Sequence, residues 1–133
     1  MPDTRCQMPG TIKRWIFMSN YKDLIVWQKS IQLVIDIYKL TEVFPKDECY
    51  GLVSQMQRAV VSIPSNIAEG NERSSNKEFA HFLYIAKGSL AELETQIIIS
   101  EKLEFINTNQ STSILISCHE IGRMINGLLT KFN

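Results

Sequence analysis

The stretch FAHFLYIAKGSLAELETQI, residues 79–97, decides the fold. Its apolar side chains Phe79, Leu83, Ala86, Leu90, Leu93 and Ile97 are spaced four, three, four, three and four, which puts all six on one face of an α-helix and excludes the two-residue alternation of a strand. Just upstream, Ser74-Ser75-Asn76 supplies N-cap side chains and Lys77-Glu78 leads into the helix. A preceding helix starts around Glu48 to Gly51 and runs toward Gly70, with Leu52, Met56, Val60, Ile63 and Ile67 on one side. Pro64 lies inside it and is expected to kink or restart it, because its ring removes one backbone bond and crowds the Val60 carbonyl. Further upstream, Leu24, Trp27, Ile31, Val34 and Tyr38 carry the same period from Asp23, the expected N-cap, to an end near Phe44-Pro45. Beyond a turn at Asn107-Thr108-Asn109-Gln110, a last helix carries Ile114, Cys118, Ile121, Ile125, Leu128 and Phe132.

Four amphipathic segments with short connections and no alternating strand predict an all-α, antiparallel up-down-up-down four-helix bundle over residues 21–133. Residues 1–20 read as a flexible N-terminal extension, since Pro2, Pro9 and Gly10 punctuate them and no period is visible. Met18 offers a second start within it.

A chain of 133 residues fits one domain. Its 14 Lys and Arg balance 14 Asp and Glu; residues 1–17 hold three of the basic and one of the acidic residues, so the body carries 11 against 13, about two net negative charges. That balance is unlike a general polyanion binder. Cys6, Cys49 and Cys118 are odd in number and form no CxxC pair, which argues against a disulfide framework and a thiolate zinc site. No segment reaches the roughly 18 apolar residues of a membrane span, and no signal-peptide stretch is present, so the expected location is the cytoplasm without membrane contact.

Three constellations stand apart from the core pattern. Val26, Leu33, Ile37 and Leu40 form a second apolar stripe on the first helix, offset by about 100°, and are expected to be an oligomer interface. Gln55, Arg58, Ser62, Asn66 and Glu69 share one face of the second helix, and the third answers with Glu78, His81, Ser89, Glu92 and Gln96. These form an expected structural polar network, in which Arg58 meets Glu92 and Asn66 bonds backbone groups freed by Pro64. Lys22, Lys29 and Lys39 on the first helix are the candidate nucleic-acid contacts.

The chemical readings are weaker than the structural ones. Glu78-x-x-His81 matches half of a di-iron bundle motif, which needs two such pairs and two further glutamates; only one pair exists, so a metal-binding bundle enzyme is the alternative and not the leading reading. Neither Cys49 nor Cys118 has a context that positions a base, although His119 follows Cys118. Gly88, mid-helix beside Ser89, is expected to permit close helix approach. No catalytic, cofactor-binding or metal-binding residue is assigned.

Read as a string, DLIVWQK (23–29), YKLT (38–41), YGL (50–52), SIPSNIAEG (62–70) and AKGSLAELE (86–94) resemble the four-helix bundle proteins first named for open reading frames in intervening sequences of bacterial 23S ribosomal RNA genes. The resemblance covers residues 21 to about 106 closely, the last helix in pattern only, and the first 20 residues not at all. It implies a bacterial, cytoplasmic, non-enzymatic bundle that assembles as a homopentamer. It also implies, through the similar accessory proteins of diversity-generating retroelements, an RNA or RNA-processing protein as partner. Those relatives use strongly basic surfaces, and the acidic body of this chain departs from them.

Overall fold

The computed structural model describes residues 20–132, so the expected N-terminal extension, Asn20 apart, lies outside the described residues. Four α-helices follow one another: α1 (Ile25–Thr41), α2 (Leu52–Asn71), α3 (Asn76–Lys102) and α4 (Thr108–Phe132), with short 3-10 turns at Tyr21–Asp23 and Lys46–Glu48. No strand occurs among the described residues.

Local chemistry explains most of the boundaries. The Ser75 hydroxyl accepts from the Glu78 backbone N–H at 3.2 Å and so caps α3. The expected turn at Asn107–Gln110 is a reciprocal cap of α4: Asn107 Oδ1 accepts from Gln110 N at 2.8 Å, and Gln110 Oε1 accepts from Asn107 N at 2.9 Å. α3 ends in a Schellman motif, with Phe105 N–H donating to Ser100 O and Glu104 N–H to Glu101 O, both at 2.9 Å. Glu104 occupies the left-handed position at φ 64°, where glycine is usual and a side chain costs roughly 1–2 kcal/mol. Asp23 does not cap α1: it ends the preceding 3-10 turn, Leu24 holds the cap position without a side-chain hydrogen bond, and Asn20 caps the turn through Lys22 N. α2 continues as a single helix through Pro64.

Two of the helix pairs, α2 with α3 and α3 with α4, run antiparallel. Ser100 reaches Met56, Ser62 reaches Ser89, and Gly70 meets Phe79 and Phe82, which fixes α2 against α3. Glu101 bonds Thr108 and Ser111, Glu94 meets His119, and Phe79 packs on Phe132 with ring centroids 5.0 Å apart, which fixes α3 against α4. Lys29–Glu120 ties α1 to α4.

The core fills from all four helices. Phe79, Leu83, Ala86, Leu90, Leu93 and Ile97 of α3 are all buried, as are Met56, Val60, Ile63 and Ile67 of α2; a fully buried side chain of this kind contributes about 1.5–3 kcal/mol by leaving water. On α4, Ile114, Cys118, Ile121, Ile125 and Leu129 are buried, with Leu128 and Phe132 packed at the margin. On α1 the stripe expected at a subunit interface is the core stripe. Val26, Leu33 and Ile37 are 3%, 1% and 0% exposed, with Leu40 partly buried beside them. Leu24, Trp27, Ile31, Val34 and Tyr38, expected to face inward, run along the flank of the bundle, half buried or exposed.

The polar residues Ser30 and Thr41 complete the inward row of α1. Both are buried, with Ser30 Oγ donating to Trp27 O at 2.8 Å and Thr41 Oγ1 to Ile37 O at 3.0 Å. The close helix approach is also elsewhere than expected. A Cβ on Gly88 would meet nothing within 4 Å, whereas one on Gly70 would lie 2.7 Å from Phe82 Cβ and 2.9 Å from Phe79 Cδ1.

Candidate functional site

The polar network of α2 and α3 is present in its middle and open at its ends. Asn66 Nδ2 donates to Ser62 O at 2.8 Å and to Ser62 Oγ at 2.9 Å, and Ser62 Oγ lies 2.8 Å from Ser89 Oγ. Because Ser62 Oγ already accepts from Asn66, its own hydrogen is available to Ser89. Asn66 therefore bonds Ser62, not the Val60 carbonyl that Pro64 leaves without its usual donor.

The expected Arg58–Glu92 ion pair does not form. Arg58 and Gln55 are exposed and make no hydrogen bond or ion pair among the described residues, since Glu92 points outward to Gln96 Nε2 at 3.4 Å. Gln96 is buried, and its Oε1 has no partner among the described residues. Glu69 pairs instead with Arg73 at 3.1 Å, and the Arg73 guanidinium sits 4.8 Å from the centre of the Phe82 ring. The network thus joins helices through neutral hydroxyls and leaves its charges at the rim.

The ligand set of a di-iron bundle is not assembled. Glu78 accepts from Ser74 Oγ at 3.4 Å in the first turn of α3, and His81 packs edge-on against Phe82. Among the described residues no three His, Cys, Asp or Glu side chains come together in a metal-holding group. Cys118 is fully buried, and burial, helped by the neighbouring Glu94 carboxylate, pushes its thiol up to about 12. A thiol held neutral in this way is a core side chain and a poor nucleophile. His119 leaves it for solvent, where its Nε2 meets Glu94 Oε2 at 3.3 Å.

The candidate nucleic-acid lysines are dispersed. Lys29 is neutralised by Glu120, 3.1 Å away; Lys22 lies over the Tyr21 ring at 5.9 Å; Lys39 borders a groove that also holds Asp36. Lys29 and Lys39 are ten residues apart, about 15 Å along α1.

The surface whose full extent sequence reading missed is the outer face of α3. Ile85, Ile99 and Leu103 are 39%, 41% and 54% exposed and share one side of the helix with Gly88, while Ile98 is exposed on the flank toward α4. The seven-residue spacing from Ile85 through Glu92 to Ile99 was the available signal, masked by the charge at its middle. A second apolar groove lies between α1 and α2, lined by Val34, Ile35, Tyr38 and Val53. No helix among the described residues is long and apolar enough to cross a membrane.

A family model described as 23S rRNA-intervening sequence protein matches residues 22–127. Among solved structures, the chain is similar to a protein of unknown function from the S23 ribosomal protein family of Bacteroides thetaiotaomicron. That crystal structure superposes with a TM-score of 0.74 at 24% identity, over 79% of this chain and 98% of the other, a likeness of fold. No curated protein matches the chain.

Proposed function

The chain belongs to the 23S rRNA-intervening sequence protein family, and on that premise we propose that it acts by assembly and not by catalysis. It is a homo-oligomeric helical scaffold in the cytoplasm, a pentamer as the family resemblance implies, that engages an RNA-processing protein or ribonucleoprotein. The observation that carries this reading is a set of exposed apolar side chains on the outer side of α3: Ile85 one turn from Gly88 and, about three turns beyond it past Glu92, Ile99 and the C-cap Leu103. A glycine in mid-helix costs about 1 kcal/mol relative to alanine, and nothing inside this bundle needs the space that Gly88 leaves. Approach of another helix from outside gives it a use. A ring requires two different complementary patches, and the α1–α2 groove offers the second. Direct RNA contact is weak in this reading, because the candidate lysines are few, separated and partly neutralised.

Sedimentation and light scattering test it. The unmodified protein is expected at five times its 15.3 kDa chain mass. Ile85→Glu with Ile99→Glu is expected to reduce that mass while leaving helical content intact, because both side chains point away from the core. An unmodified protein that is monomeric at micromolar concentration overturns the proposal.

A further inference from the structure

The start of α1 and the end of α4 leave an apolar groove of about 430 Å³ uncovered, with Leu24, Ile25 and Val26 on one wall, Met124 and Leu128 on the other, and Gly127 between them. Ile25 is 59% exposed there, and a Cβ on Gly127 would meet nothing within 4 Å. Water against these side chains is unfavourable, and no described residue covers them.

The chain outside the described residues ends at the mouth of this groove. Asn20 O accepts from Asp23 N at 3.1 Å, and Asp23 lines the groove's rim. Residues 1–19 precede Asn20, and their one continuous apolar run is Trp15-Ile16-Phe17-Met18. At about 3.4 Å per residue, Met18 reaches roughly 7 Å and Trp15 roughly 17 Å from Asn20, a span that covers the groove. The α1–α2 groove begins only at Val34, about 14 Å farther along the helix from Ile25.

We propose that Trp15–Met18 of the same chain is the occupant of the α1–α4 groove, docked in cis. This is independent of the α3 face, which lies on another side of the bundle.

The chain holds two tryptophans, Trp15 and Trp27, so the full chain carrying Trp27→Phe reports Trp15 fluorescence alone. Blue-shifted emission, protected from acrylamide quenching and unchanged on dilution, is the expected result. Gly127→Glu should return the emission to that of a water-exposed indole, and because glutamate is a better helix former than glycine and meets no neighbour, α4 should stay folded. Gly127→Ala should leave the emission blue-shifted. Water-exposed Trp15 in the Trp27→Phe chain overturns the proposal, as does a blue shift that survives Gly127→Glu. A blue shift lost on dilution also overturns it, by assigning the groove to a second copy.

Discussion

Replacing Gly70 with alanine tests the tightest contact in the bundle. The new methyl would stand 2.7 Å from Phe82 Cβ, 2.9 Å from Phe79 Cδ1 and 3.3 Å from the Phe79 backbone oxygen. A phenylalanine Cβ is fixed to its backbone, so relief requires the start of α3 to move away from the end of α2. Overpacking of this kind costs about 1–3 kcal/mol, and the two contacts under 3.0 Å place this case near the upper end. Alanine returns roughly 1 kcal/mol of helix propensity, which leaves a net loss of about 2 kcal/mol. Gly88→Ala is the matched control within the lone bundle, where its methyl meets nothing within 4 Å and the helix gains about 0.5–1 kcal/mol, less what the methyl costs wherever another copy approaches α3. Urea denaturation followed by circular dichroism, at one fixed protein concentration because assembly feeds into stability, measures both. A Gly70→Ala protein as stable as the parent refutes the close approach.

Three further outcomes follow from individual residues. The Cys118 thiol ionises near its ordinary 9.0 in the unfolded chain and at about 12 in the folded one. Above pH 9 the unfolded state therefore loses the proton first and stability falls through pH 12, by up to about 1.4 kcal/mol per unit; pH-dependent denaturation of Cys118→Ala should show a shallower decline. A double-mutant cycle on Ser62→Ala and Ser89→Ala should return a coupling of about 0.5–1.5 kcal/mol for their 2.8 Å hydrogen bond, and zero coupling would remove it from the register of α2 on α3. Filter binding to generic RNA should be weak and lost as salt rises, with tight binding at physiological salt contradicting the dispersed lysines.

Periodicity located the helices more securely than it oriented them. On α3 every residue of the expected inner row is buried, because that row is apolar throughout and unambiguous. On α1 the inner row is Val26, Ser30, Leu33, Ile37 and Thr41, and its two hydroxyls made the wholly apolar flank from Leu24 to Tyr38 look like the better core. A hydroxyl that bonds its own helix backbone is buried at little cost, a fact that residue type does not display. The end of α3 was hidden for a related reason, since Glu104 holds a left-handed position that sequence reading assigns to glycine. Of the polar network, the shared face of Ser62 and Asn66 was legible from spacing, and so was Ser89 opposite it. The fate of Arg58 was not, because it depends on Glu92 turning outward at the edge of the seam.

The orientation of α1 puts Val26, Leu33 and Ile37 in the core and not at a subunit interface, and this changes which substitutions should split the assembly and which should unfold the chain. Leu33 is 1% exposed and surrounded by core side chains. A glutamate there is a buried charge without a partner, whose penalty of several kcal/mol is a large share of the roughly 5–15 kcal/mol that holds a domain folded. Leu33→Glu should therefore abolish the helical signal itself. Ile85→Glu with Ile99→Glu places its carboxylates in water in the lone bundle, so it should cost little stability and act only where another copy must cover that face. Circular dichroism and sedimentation on the two variants separate the cases. A Leu33→Glu protein that keeps its helices and loses only its assembly would put Leu33 back at the subunit interface and α1 in the opposite rotation.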